Sequence, residues 1–145
     1  MGIGTRLVEY HIDGTDYQGM IAWDDSIVGP RPGILVAHTI RGRTAFEEGK
    51  ARDLAALGYC ALAIDVYGKS QLGTDEKNTR VQMNALLADR TELQHRLSCS
   101  LSVMHEQDLV DPAKSAAIGF CFGGLCVLDL ARMGADVSAV VSFHG

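Results

Sequence analysis

The first regular pattern along the chain is an alternation of apolar and polar residues over residues 7–12, which resumes over residues 17–23. A period of two is typical of a strand with one buried face and one solvated face. The residues between the two segments read "DGTD", and an Asp-Gly pair favours a tight turn between antiparallel strands. The N-terminal part of the chain therefore predicts a β-hairpin.

Beyond the hairpin, short apolar runs alternate with longer segments of helical periodicity. The apolar runs predict strands that are buried on both faces, and they occupy residues 34–38, 60–65, 115–120 and 137–145. Helical segments occupy residues 44–59, 81–108 (one long helix or two joined ones) and 122–134. Such alternation calls for a parallel sheet covered on both faces. We predict an α/β domain with a mostly parallel, doubly wound sheet.

Composition and charge exclude several classes of protein. The chain has 145 residues and a net charge of −5, and it carries no basic stripe that could neutralise a nucleic-acid backbone. It shows neither a signal peptide nor an apolar run long enough to span a membrane, so we expect a cytoplasmic protein. The four cysteines include no C-x-x-C pair, which argues against a zinc site and favours reduced thiols.

The motif "GFCFGG" (119–124) comes directly after a predicted strand, where a helix begins. It fits the nucleophile elbow G-x-S-x-G, with Cys121 in the serine position. Gly119 and Gly123 would leave room on the crowded side of a strained turn. The alternative interpretation is that these glycines only allow strand and helix to pack closely, with Cys121 as a buried filler.

An elbow of this kind also predicts which groups surround the thiol. A helix N-terminus favours a thiolate through its unpaired N–H groups and its dipole. The N–H of Phe122 would point to the place where an oxyanion forms, and the loop after the first buried strand would supply a second donor from Ile40.

Together these segments resemble the dienelactone hydrolase family of α/β-hydrolases. The residues that carry the resemblance are "HTIRG" (38–42), "DVYG" (65–68), "GFCFGG" (119–124) and "VSFHG" (141–145). The resemblance implies hydrolysis of a small ester or lactone through an acyl-cysteine intermediate, without a metal or an organic cofactor. It implies Cys121 as the nucleophile and the N–H groups of Ile40 and Phe122 as the oxyanion hole.

Two positions differ from the best-known members of that family. Thr39 stands where they carry a glutamate that contacts the resting thiol, and Lys69 stands where they carry an arginine that holds a substrate carboxylate. Lysine retains the charge but loses the bidentate fork of arginine, so the resemblance supports hydrolase chemistry more than a dienelactone substrate. Lys69 and Arg41 are the candidate substrate-binding cations, with solvated loop charge as the alternative.

The later members of a catalytic triad have no obvious place in the chain. Hydrolases of this fold order their triad as nucleophile, acid and histidine, and the sequence ends one predicted strand after Cys121. We therefore expect residues 1–145 to form a single, incomplete α/β-hydrolase domain that is inactive alone. Its open sheet edge would favour a homo-oligomer or association with a missing C-terminal segment.

Five histidines are present, and their positions indicate different roles. His144 ends the last predicted strand and is the one histidine placed to approach Cys121, with a plain loop residue as the simpler interpretation. His38 is expected to fix the loop after its strand by a local hydrogen bond. His11, His95 and His105 are expected to be surface or packing residues.

The carboxylates near the predicted site have simple interpretations. Asp65 ends a strand and is expected to form a turn. Glu47 and Glu48 are expected to be solvated and suit the first turn of a helix, where a carboxylate favours the helix dipole.

Two further functional hypotheses belong to other classes. A natural short chain could be non-catalytic and use its apolar sheet edge to dimerise or to bind a partner. Alternatively, Cys121 could have an acyl-binding or redox role without any triad.

Overall fold

The computed structural model describes residues 2–145, which form one six-stranded sheet. Its strands are β1 (Ile3–Ile12), β2 (Thr15–Asp24), β3 (Arg31–Ala37), β4 (Cys60–Ala63), β5 (Val110–Phe120) and β6 (Ala139–Phe143), in the order β1-β2-β4-β3-β5-β6. The contacts of β2 with β1 and with β4 are antiparallel, whereas β4, β3, β5 and β6 run parallel. The predicted mostly parallel α/β sheet is confirmed.

The N-terminal hairpin lies where the alternation predicted it. Asp13 and Gly14 form its two-residue turn with φ angles of 48° and 85°, and a turn with two positive φ angles matches the twist of the flanking strands. On β1, the alternate residues Val8, Tyr10 and Ile12 are buried and their neighbours are exposed. The hairpin thus adds one half-buried ribbon to the parallel strands.

Helices α1 (Ala45–Ala56), α2 (Glu76–Ala88), α3 (Arg90–His105) and α4 (Phe122–Arg132) connect the strands. The segment predicted as one long helix or two joined ones is two helices. Asp89, with φ of −135°, leaves the helical conformation, and its side chain accepts a hydrogen bond from the Glu92 N–H as the N-cap of α3. The last helix stops before Gly134, whose φ of 69° suits a helix end.

The helices cover the sheet on both faces, as a doubly wound sheet requires. Helices α3 and α4 pack on one face over the larger core, where Leu35, Leu62 and Leu97 are buried. Helix α1 packs on the other face, where Ala51 meets small residues such as Ala61. The small side chains there let α1 lie close to the sheet.

Two sequence expectations are wrong. The strand was predicted over residues 115–120, but β5 begins five residues earlier, at Val110, and pairs there with Arg31 before a register shift. This irregular extension tolerates Pro112, which has no N–H to donate. Glu47, expected in solvent, has no exposed surface.

The parallel strands determine where a site can form. The carboxyl ends of β3, β4, β5 and β6 lie at one edge of the sheet, because these four strands run in the same direction. Ligands of open α/β sheets bind outside this edge. The residues that follow these strands are therefore the ones to compare with the predicted site.

Candidate active site

The turn at Cys121 lies at the centre of this edge. β5 ends at Phe120 and α4 begins at Phe122, so Cys121 alone makes the turn. Its φ of 56° and ψ of −115° lie in a region that non-glycine residues rarely adopt. The Cys121 N–H donates to the Phe143 carbonyl at 2.7 Å, which ties the turn to β6. The thiol side chain is exposed.

Gly119 and Gly123 allow strand and helix to meet at this turn. A Cβ on Gly119 would lie 2.8 Å from the Gly124 nitrogen, and a Cβ on Gly123 would lie 2.6 Å from the Ala37 carbonyl carbon. Real Cβ atoms essentially never approach other atoms within 3.0 Å. Both glycines are sterically required. The glycines thus allow the close packing that the alternative interpretation also assumed, but Cys121 is exposed and is not a buried filler.

Ile40 and Phe122, which line the same cavity as Cys121, each have a free backbone N–H group. Neither the Ile40 N–H nor the Phe122 N–H donates a hydrogen bond to a group within residues 2–145. Ile40, Cys121 and Phe122 line the same open cavity, which has a volume of about 340 Å³. Preorganised donors beside a nucleophile can stabilise a developing oxyanion. The structure thus brings together the three residues that the sequence singled out.

His38 fixes the loop that carries Ile40. The imidazole is fully buried, its Nε2 accepts the Val66 N–H at 3.1 Å, and its Nδ1 lies 2.8 Å from the Thr39 carbonyl oxygen. Because Nε2 is the acceptor, Nδ1 carries the proton and donates it to Thr39. Burial lowers the pKa of His38, although the Thr39 carbonyl and the Asp65 carboxylate oppose this shift. The expected local role of His38 is confirmed.

Tyr67 also holds the loop of residues 39–44, which carries the predicted oxyanion donor Ile40 and is called the oxyanion loop below. The sequence reasoning missed this tyrosine. Its hydroxyl donates to the Ile40 carbonyl at 2.9 Å. Its ring stacks on Phe122 with centroids 5.8 Å apart and contacts His38 at 4.7 Å. Burial raises the pKa of Tyr67, so the hydroxyl keeps its proton. The tyrosine lies in the "DVYG" motif, which was the only available signal.

Glu47 is the second residue that the sequence analysis did not place at the site. Its Oε1 accepts hydrogen bonds from the Thr44 N–H at 2.8 Å and from the Thr44 hydroxyl at 2.9 Å, and its Oε2 lies 3.4 Å from the Thr39 nitrogen. The spacing of Thr44 and Glu47 is that of a capping box, which the structure contains at the start of α1. That spacing was a usable signal for the helix start.

The two candidate substrate-binding cations lie in ion pairs. The Lys69 ammonium lies 2.6 Å from Glu9, and the Arg41 guanidinium lies 3.5 Å from Glu76. All four side chains are about half exposed or more. Neither cation lines the cavity beside Cys121. Their role in substrate binding stays a prediction.

Asp65 acts as the turn former that the sequence predicted. Its Oδ1 accepts the N–H groups of Tyr67 at 3.0 Å and Gly68 at 2.9 Å, while its Oδ2 accepts the Gln18 N–H at 3.2 Å. The carboxylate is buried and fully engaged. Asp65 therefore shapes the loop after β4.

Of the other four histidines, three lie away from the Cys121 cavity and one, His144, lines it. His11 contacts Asp16, His95 contacts Asp13 and His105 contacts Ser115. His144, with φ of 56°, lines the cavity that contains Cys121. Within residues 2–145, the cysteine side chain that forms a side-chain hydrogen bond is that of Cys99, with His95, whereas the free, exposed Cys121 thiol forms none. His144 is therefore near the thiol but not paired with it.

The cavity wall is otherwise apolar. It consists of Ile40, Met83, Leu87, Phe122 and Leu125, with Cys121, His144 and Gly145 completing it. No lysine, arginine or carboxylate of residues 2–145 takes part. In the same part of the chain, no group of three or more histidine, cysteine or acidic side chains is placed to hold a metal ion. None of the described helices has the length and apolarity to cross a bilayer.

Comparison with known proteins agrees with this geometry. The sequence model of the dienelactone hydrolase family matches residues 18–145. A solved dienelactone hydrolase-like promiscuous phosphotriesterase from metagenomic libraries is 38% identical, with a TM-score of 0.96, and the match covers 100% of this chain and 60% of that chain.

Two curated relatives match along the same length. A Synechocystis protein provisionally named a carboxymethylenebutenolidase is 30% identical over 99% of this chain and 59% of its own. A Bradyrhizobium protein provisionally named a 2-oxo-3-(5-oxofuran-2-ylidene)propanoate lactonase is 25% identical over 100% of this chain and 59% of its own. This chain thus spans about three fifths of the length of each of these three proteins. From the elbow, the sheet order and the family match over residues 18–145, we conclude that the chain belongs to the dienelactone hydrolase family, within the α/β-hydrolase superfamily.

Proposed function

We propose that this chain carries the nucleophile and the oxyanion hole of a hydrolase that acts on small esters or lactones. The observation that carries the proposal is the exposed Cys121 on a strained turn, in a cavity also lined by Ile40 and Phe122, whose N–H groups are free within residues 2–145. A family of hydrolases, with relatives named as a lactonase and a carboxymethylenebutenolidase, supports the same chemistry.

The proposed reaction proceeds through a thioester. The Cys121 thiolate attacks the carbonyl carbon, a C–S bond forms, and the carbonyl π electrons move to the oxygen, where the N–H groups of Ile40 and Phe122 stabilise the charge. Collapse of this intermediate expels the alcohol oxygen, which takes up a proton. Water then attacks the thioester carbonyl, releases the carboxylic acid and returns the thiol.

The proposal requires a base, which the described residues do not pair with the thiol. Within residues 2–145, the Cys121 thiol is free and exposed, and no side chain is hydrogen-bonded to it. Triad members act as a unit, and losing one costs nearly as much as losing all. We therefore expect the 145-residue chain alone to show negligible turnover, with the triad acid and histidine supplied by the complete enzyme. His144, which lines the cavity, is the alternative base.

The cavity supports an apolar acyl group. Its wall includes Met83, Leu87 and Leu125 but none of the cations of residues 2–145. Lys69 and Arg41 would have to leave Glu9 and Glu76 to bind a substrate carboxylate. A neutral ester or lactone with a short apolar acyl chain therefore fits the site better than a carboxylate-bearing dienelactone. A thiol nucleophile must also be reduced, which supports a reducing compartment such as the cytoplasm.

The test compares the complete enzyme with its Cys121→Ala variant and with the 145-residue chain. The measurements are an intact mass of each sample and hydrolysis of p-nitrophenyl acetate and butyrate. We expect turnover in the complete enzyme, none with Cys121→Ala, and a larger kcat/KM for butyrate because it buries two more methylenes. Turnover that survives Cys121→Ala contradicts the proposal. Turnover by the 15.6 kDa chain alone would assign the base role to His144.

A second candidate function is association through β6. This strand lies at the end of the sheet, and its residues Val141 and Phe143 are 46% and 43% exposed. An exposed apolar edge strand favours pairing with another chain. Light scattering on the 145-residue chain would show a dimer that Val141→Lys disrupts. A monomer at high concentration would contradict this function.

A further inference from the structure

The direction of the Ile40 N–H depends on how the peptide between Thr39 and Ile40 is held. The described part of the chain contains no cis peptide bond, so the Thr39 carbonyl and the Ile40 N–H point in opposite directions. The Thr39 carbonyl accepts hydrogen bonds from His38 Nδ1 at 2.8 Å and from the Gly42 N–H at 3.1 Å. These two donors turn the carbonyl inward, and the Ile40 N–H therefore faces the other way.

The preceding peptide, between His38 and Thr39, is held by Glu47. The Thr39 nitrogen lies 3.4 Å from Glu47 Oε2, while Glu47 Oε1 accepts from the Thr44 N–H at 2.8 Å and from its hydroxyl at 2.9 Å. One carboxylate thus links residue 39, at the start of the oxyanion loop, to residue 44, at its end. Glu47 has no exposed surface, so water does not compete for its oxygens.

A helix cap by itself does not account for a glutamate at this place. Glutamine serves a capping box equally well, because only one side-chain oxygen has to accept the N-cap N–H. It would also avoid burying a charge, which is costly without several partners. The second oxygen of Glu47 is used only for the N–H of Thr39. The carboxylate is therefore matched to the oxyanion loop as well as to the helix.

We propose that Glu47 is a positioning residue for the oxyanion hole: with His38, it clamps Thr39 so that the Ile40 N–H faces the Cys121 site. This inference rests on the proposed function, since the clamp affects the rate only if an oxyanion forms beside Cys121. Glu47 touches neither the thiol nor the cavity. It acts on the reaction through the backbone of the loop.

The variant Glu47→Gln separates the clamp from the cap. Glutamine has one oxygen, which can still accept from Thr44, and an NH₂ group in place of the second oxygen. Two donors would then face each other at Thr39, so the loop contact is lost while the cap remains. Removing an oxyanion donor costs a factor of about 10²–10³ in kcat, and a misdirected donor should cost less. We expect kcat to fall by about tenfold, with KM changed less than twofold.

A reaction that forms no oxyanion serves as the internal control. Iodoacetamide alkylates a thiol by displacing iodide from a methylene carbon, so its rate at Cys121 should be unchanged in Glu47→Gln. The matched variant is Asp53→Asn, which neutralises an exposed carboxylate of the same helix, α1. We expect kcat and the alkylation rate of Asp53→Asn to equal those of the wild type.

The outcomes in the complete enzyme distinguish this inference from the proposed function. Turnover in the wild type with an unchanged kcat in Glu47→Gln overturns the role of Glu47 alone. Absence of Cys121-dependent turnover in the wild type overturns the proposed function and this inference with it. If Glu47→Gln fails to fold, Glu47→Asp replaces it. Aspartate keeps the charge, but its shorter side chain cannot reach both Thr44 and Thr39, so the same selective loss of kcat is expected.

Discussion

Replacing Gly123 by alanine should open the contact between α4 and β3 on which the Cys121 turn depends. The added Cβ would lie 2.6 Å from the Ala37 carbonyl carbon and 2.7 Å from the His38 carbonyl oxygen, whereas ordinary contact begins at 3.4 Å. The Ala37 carbonyl oxygen would lie closer still, so the first turn of α4 must retreat from β3 by more than about 0.8 Å, the difference between 3.4 and 2.6 Å. The obstructing atoms are backbone atoms, so no change of rotamer can relieve the contact.

The cost follows from this displacement. Overpacking of a tight contact costs about 1–3 kcal/mol, and the higher helix propensity of alanine returns at most about 1 kcal/mol. We expect the free energy of unfolding to fall by about 1–2 kcal/mol and Tm by about 3–6 °C. The Phe122 N–H moves with the helix, and a misplacement of about 1 Å can reduce the rate by about 100-fold. We expect a loss of that order in kcat/KM.

Thermal unfolding followed by circular dichroism and hydrolysis of p-nitrophenyl acetate by the complete enzyme measure the two effects. Gly49→Ala is the matched control, because Gly49 lies within α1 and a Cβ there meets nothing within 4 Å. This control should raise stability by about 0.5–1 kcal/mol and leave kcat/KM unchanged. A Gly123→Ala protein with the Tm and kcat/KM of the wild type would refute the steric reasoning.

Two further predictions concern buried charges. Arg90→Ala should cost about 3 kcal/mol and destabilise the fold more than Asp129→Ala, because it leaves the fully buried Asp129 carboxylate with Arg132 as its one remaining cation. The reverse order in urea unfolding curves would contradict this. Burial lowers the pKa of His38 below its ordinary value of about 6.5, so below that pH the unfolded chain binds a proton that the folded chain does not. The free energy of unfolding should therefore fall by up to about 1.4 kcal/mol per pH unit as the pH drops below about 6.5, and His38→Asn should lack this contribution. If the free energy of unfolding had the same pH slope in the wild type and in His38→Asn, this prediction would be contradicted.

Local patterns predicted the elements and the elbow because both depend on neighbours in the sequence. The alternation over residues 7–12 and 17–23 and the Asp13-Gly14 turn determine the hairpin. The spacing of Gly119, Cys121 and Gly123 requires the strand and the helix to meet closely, whichever fold surrounds them. Burial of alternate or continuous apolar residues is a property of each strand, and so it can be predicted from one segment at a time.

The start of β5 could not be predicted in this way. Residues 110–114 contain Pro112 and two charged residues, a composition typical of a loop. They become strand because β3 begins at Arg31 and offers a partner to Val110. A strand that is recruited by its neighbour leaves no periodic pattern of its own.

The environment of the site was decided by tertiary structure alone. Lys69 and Arg41 follow strands that end at the sheet edge where Cys121 lies. Lys69 nevertheless pairs with Glu9 of the hairpin, and Arg41 pairs with Glu76 of α2. Ion pairs of this kind join residues far apart in sequence, so no spacing predicts them.

Glu47 shows most clearly which contacts a local sequence pattern does not predict. Thr44 and Glu47 have the spacing of a capping box, which determines where α1 begins. This spacing does not indicate whether the glutamate is exposed or buried, so the sequence determined no more than the cap. Packing of α1 against the sheet excludes water from this carboxylate and leaves its second oxygen beside the N–H of Thr39. The sequence by itself determined the elements and the strained turn of Cys121. Long-range packing decided which charges face the cavity and which groups hold the oxyanion loop, because those contacts exist only once distant segments meet.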